Sequence, residues 1–192
     1  MYDIATFRSD GPYCDHRHPD QVQFSDAEHD AQRRDFTINS LAIGLNKNNF
    51  GKLIDPFNGV EDIKNKIVRT PLNPDKTYSD DPLRMFRAVR FSSQLNFKIE
   101  AKSFKSIRKN IHRVEIISKE RIVDELNKII LSIKPSVGFL NLDKSGLLKI
   151  ILPEITNLKG IEEIEGKSHK ENFYHTLEVL DNISLKTNNL WL

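Results

Sequence analysis

The sequence is short of three things, and each shortage excludes a class of protein. Its single cysteine, Cys14, cannot build a disulfide framework within the chain and suits a reducing compartment. No apolar run approaches the roughly 20 residues needed to span a bilayer, and the N-terminus reaches Asp3 and Arg8 without the apolar stretch a secretory signal requires. A cytoplasmic location without membrane contact is therefore expected. Net charge is small as well, +2, so overall charge neither demands nor rules out a nucleic-acid partner. There is no repeat or low-complexity tract. What remains, 192 residues with 38% apolar and 29% charged positions, suffices for one large or two small globular domains.

The stretch from Asp80 to Phe91, Asp-Asp-Pro-Leu-Arg-Met-Phe-Arg-Ala-Val-Arg-Phe, organises the rest. Two acids before a proline suit the first turn of a helix, because proline loses no useful N–H there and carboxylates favour the positive end of the dipole. At about 100° per residue, Pro82, Met85, Phe86 and Val89 share an apolar arc, with Asp80, Asp81, Arg84 and Arg87 opposite. The apolar arc predicts a core-facing side. The polar side reads either as a solvated ion-pair face or as a binding face.

Residues 2–7 read as a strand by alternation, placing Asp3 on one face either as a strand-end carboxylate or as a functional acid. Residues 8–20, with Gly11-Pro12 and Pro19, read as a polar loop in which Asp15, His16 and His18 lack a second cluster to complete a metal site. From Asp26 to Asn46 the pattern predicts two short helices with Arg33-Arg34-Asp35 at their junction. Such a trio is either an exposed charge cluster or a group able to meet a triphosphate and a ribose, since guanidinium forks match phosphate oxygens and a carboxylate accepts from a sugar hydroxyl. The doublet His29-Asp30 has no partner histidine or aspartate at suitable places and is set aside as a metal phosphohydrolase motif. Leu53-Ile54-Asp55, the Asn58-Gly59 turn and Ile67-Val68-Arg69 predict a sheet edge with short strands and one helical turn. Pro71 and Pro74 break the pattern, and a boundary is expected near residue 70. After it the chain reads as almost wholly helical. Residues 98–121 carry eight Lys or Arg against three Glu, a local excess that fits an RNA backbone or a solvated face equally well. Ser118 is expected to cap a helix with Ile122, Leu126, Ile129 and Ile130 buried, and a last helix is expected from about Phe173.

Several of these stretches, taken in order, resemble one family. Arg33-Arg34-Asp35-Phe36-Thr37-Ile38-Asn39-Ser40-Leu41-Ala42 is similar to the Arg-Arg-Asp-Phe-Thr-Ile-Asn-Ala-Leu-Ala signature of bacterial-type (class II) tRNA nucleotidyltransferases, the CCA-adding enzymes, and their poly(A) polymerase relatives. Asp55 to Arg69 resembles the connection between the family's head and neck. Asp80-Asp81-Pro82-Leu83-Arg84, with Arg87 and Arg90-Phe91, resembles its Glu-Asp-x-x-Arg neck motif, and Ser118 to Ile122 resembles the motif of the following helix. Gly146-Leu147-Leu148, Leu152-Pro153-Glu154 and His175-Thr176-Leu177 extend the likeness over essentially the whole chain.

The resemblance implies an α+β fold. It divides the chain into the C-terminal part of a DNA polymerase beta-like nucleotidyltransferase head with a small mixed sheet (1–70), a helical neck binding RNA and the nucleotide base (71–134), and the start of an HD-like helical body (135–192). It implies template-independent addition of C and A, or A alone, to tRNA 3′ ends, with ATP and CTP as substrates and Mg²⁺ as cofactor. Poly(A) addition to other RNAs is the alternative, and a non-catalytic nucleotide-sensing or RNA-binding protein is another. Arg33, Arg34, Asp35 and Asn39 would hold triphosphate and sugar, Arg87 would contribute to the nucleotide site or to an ion pair, and Asp81 and Arg84 would read the base. The base chemistry agrees: C and A each offer an exocyclic amino donor beside a ring-nitrogen acceptor, and an Asp acceptor about 60° from an Arg donor on one helix complements both. Tyr2 to Arg8 resembles a head strand in which Asp3 takes the place of the third catalytic, metal-site acid. The family's glycine-rich motif and Asp-x-Asp pair, which bind Mg²⁺, have no counterpart in the sequence, and Asp80 replaces the usual glutamate of the neck motif. His175 is similar to the first histidine of an HD-type domain. An internal fragment unable to transfer nucleotides on its own is therefore expected.

Overall fold

The helix expected after the Asp80-Asp81 pair is the axis of the structure. In the computed structural model, which describes residues 6–14, 18–160, 163–164, 167–168, 172–187 and 189–190, helix α4 runs over Leu83–Leu95. Its apolar arc is buried as expected: Met85, Phe86 and Val89 are 0% exposed, and burial of each such side chain is worth about 1.5–3 kcal/mol. The helix stops where Asn96 turns left-handed at φ 53° and the Phe97 N–H returns to the Ser92 carbonyl at 3.1 Å.

Before α4 the chain forms small ladders and short helices. Strands β1 (Arg8–Asp10) and β2 (Val22–Phe24) pair antiparallel, so residues 8–20 are not simply a loop but one arm and the turn of a hairpin. Of the strand expected over residues 2–7, positions 2–5 lie outside the described residues, and Thr6 and Phe7 precede β1. Asp15 and His16 lie outside as well. Helix α1 covers Ala27–Gln32, capped by the Asp26 side chain on the His29 N–H. The second helix expected before Asn46 is a single 3₁₀ turn, Thr37–Asn39, followed by strand β3 (Ala42–Ile43). It is short because the Ser40 hydroxyl bonds back to the carbonyls of Phe36 and Ala31, and Ala42 and Ile43 then pair with β4 (Leu53–Ile54). Helix α2 (Gly59–Lys64) packs on that 3₁₀ turn so closely that a Cβ at Gly59 would strike the Thr37 carbonyl. Strand β5 (Ile67–Val68) follows.

Two features near residue 80 differ from expectation. The segment after Pro71 is not a breaker: α3 spans Pro74–Asp80, with Pro74 in the first turn and the Asn73 side chain accepting from the Asp75 N–H. Asp80 therefore ends α3, and Asp81, extended at φ −138° and ψ 99°, joins it to α4 rather than opening α4. Strand β6 (Lys98–Ile99) pairs in parallel with β5, and Arg69 meets Glu100 at 3.7 Å, so ladder and ion pair tie residues either side of position 70 together.

The remainder is helical: α5 (Ala101–Asn110), a 3₁₀ segment Ile111–Ile116, α6 (Lys119–Ile130), α7 (Pro135–Ser145), α8 (Leu147–Ile151) and α9 (Pro153–Thr156). A short antiparallel pair, β7 (Glu163–Ile164) and β8 (Lys167–Ser168), precedes α10 (Asn172–Ser184). Helices α6 and α7 pack on α4, and Gly138 makes this possible, since a Cβ there would collide with Ile129 of α6. The result is an α+β fold in which Phe36 and Val68 share one core with Tyr78, Phe86, Ile107 and Leu142.

Candidate functional site

The site is built on two buried carboxylates that gather the arginines around them. Asp30, on α1 and 2% exposed, lies one helical turn before Arg33 and Arg34. Its Oδ1 accepts from Arg33 Nε and Nη2 at 2.9 and 2.5 Å, its Oδ2 accepts from Arg34 Nε at 3.0 Å, and the Arg8 N–H adds a bond at 3.3 Å. Burial pushes the Asp30 carboxyl up, but the bonds from Arg33 and Arg34 outweigh it and hold the group below the ordinary carboxylate range. A lowered folded-state pKa adds stability that is present above the unfolded value, near 3.9, and is lost as pH falls through the folded value. Below about pH 4 the stability gap between the native protein and Asp30→Asn is therefore expected to narrow, which urea midpoints at pH 3 and pH 6 measure.

Asp35, 7% exposed, is the second keystone. Its Oδ1 accepts from the Phe36 N–H at 2.9 Å and Asn39 Nδ2 at 3.0 Å, and its Oδ2 takes Arg87 Nε and Nη2 at 2.7 and 2.5 Å. Arg84, one turn earlier on α4, donates from Nη2 to the Arg33 carbonyl at 3.0 Å. Arg34 reaches the Asn39 carbonyl at 3.4 Å. The sequence-predicted residues Arg33, Arg34, Asp35, Asn39, Arg84 and Arg87 thus form one connected network at the meeting of α1, the 3₁₀ turn and α4. Arg33-Arg34-Asp35 does stand at a junction of helical segments, as expected. The Asp35 carboxylate, however, is directed into the protein, where it fixes the turn and α4.

Asp81 stands apart from this network. It does not share a helix with Arg84: its Oδ1 accepts from the Leu83 N–H at 3.2 Å and from Arg121 Nη2 of α6 at 3.4 Å. Asp80 instead faces a cavity of about 560 Å³ lined also by Arg33, Arg84, Lys76, His29 and Tyr13. Burial raises the Asp80 carboxyl above its ordinary value against the pull of Lys76, Arg84 and Arg113. The Tyr13 ring lies 5.9 Å from the Arg84 guanidinium, and its hydroxyl donates to Asp10 at 2.5 Å. Burial and that bond push the Tyr13 hydroxyl up to about 12. Asp30, Tyr13 and Lys76 were not singled out from the sequence as parts of the site. Asp30 was detectable there, because it precedes the two arginines by three and four residues.

Asp3, the expected catalytic and metal-site acid, lies outside the described residues. Among the described residues no three His, Cys, Asp or Glu side chains converge on a metal position. The buried acids nearby are each turned onto cations: Asp10 onto Arg8, Asp30 onto Arg33 and Arg34, Asp35 onto Arg87, Asp62 onto Arg69. These residues do not fit a Mg²⁺ site, although nucleotidyltransferases generally use Mg²⁺. No helix among the described residues is long and apolar enough to cross a membrane.

Two family models match the chain. Residues 1–69 match the poly A polymerase head domain, and residues 96–159 match a probable RNA and SrmB-binding site of polymerase A. The CCA-adding enzyme of Ligilactobacillus salivarius is 43% identical over 166 residues, 84% of this chain and 40% of that protein. The chain belongs to the CCA-adding enzyme and poly(A) polymerase family. Members of this family are nucleotidyltransferases. A second CCA-adding enzyme, from Lactobacillus helveticus, is 47% identical over 67% of this chain and 31% of its own length. The chain thus spans less than half the length of these curated relatives. Among solved structures, the Bacillus stearothermophilus CCA-adding enzyme in complex with CTP aligns at TM-score 0.65 and 35% identity over 74% of this chain and 33% of that one. A tRNA nucleotidyltransferase complexed with a primer tRNA and an ATP analog aligns at 0.67 and 27% identity, over 86% of this chain and 46% of that one.

Proposed function

We propose that this chain supplies the triphosphate, base and RNA sites of a template-independent enzyme that adds C and A, or A alone, to tRNA 3′ ends in the cytoplasm, with Mg²⁺ supporting the transfer. In that reaction the RNA 3′-oxygen bonds to the α-phosphorus of ATP or CTP, the α–β phosphoanhydride bond breaks, and pyrophosphate leaves. The observation that supports the reading is the direct contact of Arg84 on α4 with the Arg33 carbonyl, beside a cavity lined by Arg33, Asp80 and Arg84. Arg33 and Arg34, preorganised on Asp30, present guanidinium donors for phosphate oxygens.

We assign base choice to two groups with hydrogen-bonding capacity left over, Arg84 in the cavity and Asp81 outside its lining. Arg84 spends one of its donors on the Arg33 carbonyl, and Asp81 Oδ2 makes no hydrogen bond among the described residues. A donor and an acceptor remain to complement the ring nitrogen and amino group of C or A, while U and G present a carbonyl beside an N–H. Asp35 and Arg87 hold the turn and α4 in register and so act as positioning residues.

The test is Arg84→Ala in the intact enzyme with ATP, CTP, UTP and GTP and trimmed tRNA, followed by product sequencing. Loss of one good bidentate contact predicts that discrimination of C and A from U and G falls roughly tenfold or more, with RNA binding little changed. Unchanged base choice overturns the assignment. The same sequencing separates CCA addition from poly(A) addition to other RNA ends.

A further inference from the structure

Two acids line the cavity that holds Arg33 and Arg84, and only Asp80 has oxygens to offer a ligand. The Asp10 side chain is 2% exposed, with Arg8 Nε at 3.0 Å and the Tyr13 hydroxyl at 2.5 Å. The Asp80 carboxylate is half-buried and forms no hydrogen bond or ion pair with any described residue. Lys76, Arg84 and Arg113 attract it, but none closes to ion-pair distance. Arg84 is drawn to the Arg33 carbonyl instead, and Arg113 to the Ser79 carbonyl, each at 3.0 Å. The position is unfavourable as well. Asp80 is the last residue of α3, where a carboxylate meets the negative end of the helix dipole, and Lys76 one turn before it stands in the weaker order for such a pair. Burial disfavours its charge further and raises its carboxyl above the ordinary value. An acid that costs the fold in three ways and makes no bond within it is placed for a ligand.

The ligand group that meets Asp80 must donate hydrogen bonds and carry no negative charge. That excludes the triphosphate, which repels a carboxylate and suits Arg33. The base is assigned to Arg84 and Asp81. What remains of a nucleotide is the ribose, whose two neighbouring hydroxyls are donors and whose place is between base and triphosphate, as Asp80 shares a cavity with Arg84 and Arg33. The acid to which the family resemblance gives the sugar is not free for it: Asp35 is turned onto Arg87 and Asn39 and does not line the cavity.

We infer that Asp80 is the sugar-reading residue of the nucleotide site, its carboxylate accepting from the 2′- or 3′-hydroxyl of the ribose. This rests on the proposed function for the presence of a nucleotide in the cavity. Calorimetry with ATP, 2′-deoxy-ATP and 3′-deoxy-ATP is run on the native protein and on Asp80→Ala, and repeated with the corresponding cytidine nucleotides. The native protein is expected to bind at least one deoxy analogue about tenfold or more weakly than ATP, the loss of one hydrogen bond to a charged acceptor. The factor is expected to be the same in the cytidine series, because the sugar is common to both. In Asp80→Ala the parent nucleotide and its analogues are expected to bind within about twofold of one another, since the hydroxyl has lost its partner. A carboxylate that merely tempers the charge of Arg33 and Arg84 would shift all the nucleotides together and leave the preference in place. Asp80→Ala is also expected to be no less stable than the native protein in urea, because no bond of the fold is lost and an acid leaves the negative end of α3. ATP bound without sugar preference, a preference that survives Asp80→Ala, or a clear loss of stability in that variant overturns the inference and leaves the proposed function standing. No ATP binding by the native protein sinks both.

Discussion

Glu125→Ala is expected to lower the melting temperature by about 10 °C. Glu125 on α6 is 3% exposed and Arg90 on α4 is 8% exposed, and Arg90 Nη1 lies 3.1 Å from each carboxylate oxygen. Burial draws the Arg90 pKa down while Glu125 holds it up. Removing one partner of such a pair leaves an uncompensated charge in the packed interface of α4 and α6, which typically costs about 3–5 kcal/mol. For a chain of this size each kcal/mol is worth roughly 2–4 °C. Lys128, half exposed, also reaches Glu125 and relaxes into water when the carboxylate is lost. The double variant Arg90→Met/Glu125→Leu is expected to regain most of the loss, because an apolar pair of similar size removes both charges together. Thermal melts of the native protein and the two variants decide the matter: a single-variant loss near 1 kcal/mol would place the pair in a solvent-like setting, contrary to its burial.

The pair also shows what the sequence can and cannot reveal. The apolar face of α4 was legible because Met85, Phe86 and Val89 repeat at helical spacing, and periodicity reports burial directly. Arg90 lies near that face, but its partner is thirty-five positions away on another helix, and no local pattern connects them. The same division runs through the site. Arg33, Arg34 and Asp35 were recognisable as a charged junction, and the family signature singled them out. That Asp35 looks inward to Arg87, fifty-two positions on, is a fact of packing. Local reading failed where two rules compete. Pro71 and Pro74 read as an interruption, although Pro74 with Asn73 before it is equally a helix start, a side-chain cap followed by proline in the first turn. Once α3 occupies Pro74–Asp80, Asp81 is forced into the link, and its expected place beside Arg84 on one helix is lost.

Asp35→Ala is expected to weaken nucleotide binding at least tenfold while costing about 2 kcal/mol of stability. Four donors converge on this carboxylate: the Phe36 N–H and Asn39 on one oxygen, and Nε and Nη2 of Arg87 on the other. The stability cost is smaller than at Glu125 because the Arg87 side chain is 33% exposed and regains water when freed. The functional cost is larger because the bonds that vanish fix the turn after Arg33 and Arg34 and anchor α4 one turn beyond Arg84. Loss of preorganisation is therefore read in affinity rather than in folding. A cycle of Asp35→Ala, Arg87→Ala and the double variant, followed by urea unfolding and by ATP calorimetry, separates the two effects. Coupling of roughly 1–2 kcal/mol in stability is expected, clearly above that of the exposed Asp75 and Lys109 pair used as a comparison. Each single variant should reduce ATP affinity about as much as the double variant, since either one releases the same junction. If Arg87→Ala weakens ATP binding and Asp35→Ala does not, Arg87 touches the nucleotide itself and its ion pair with Asp35 is secondary.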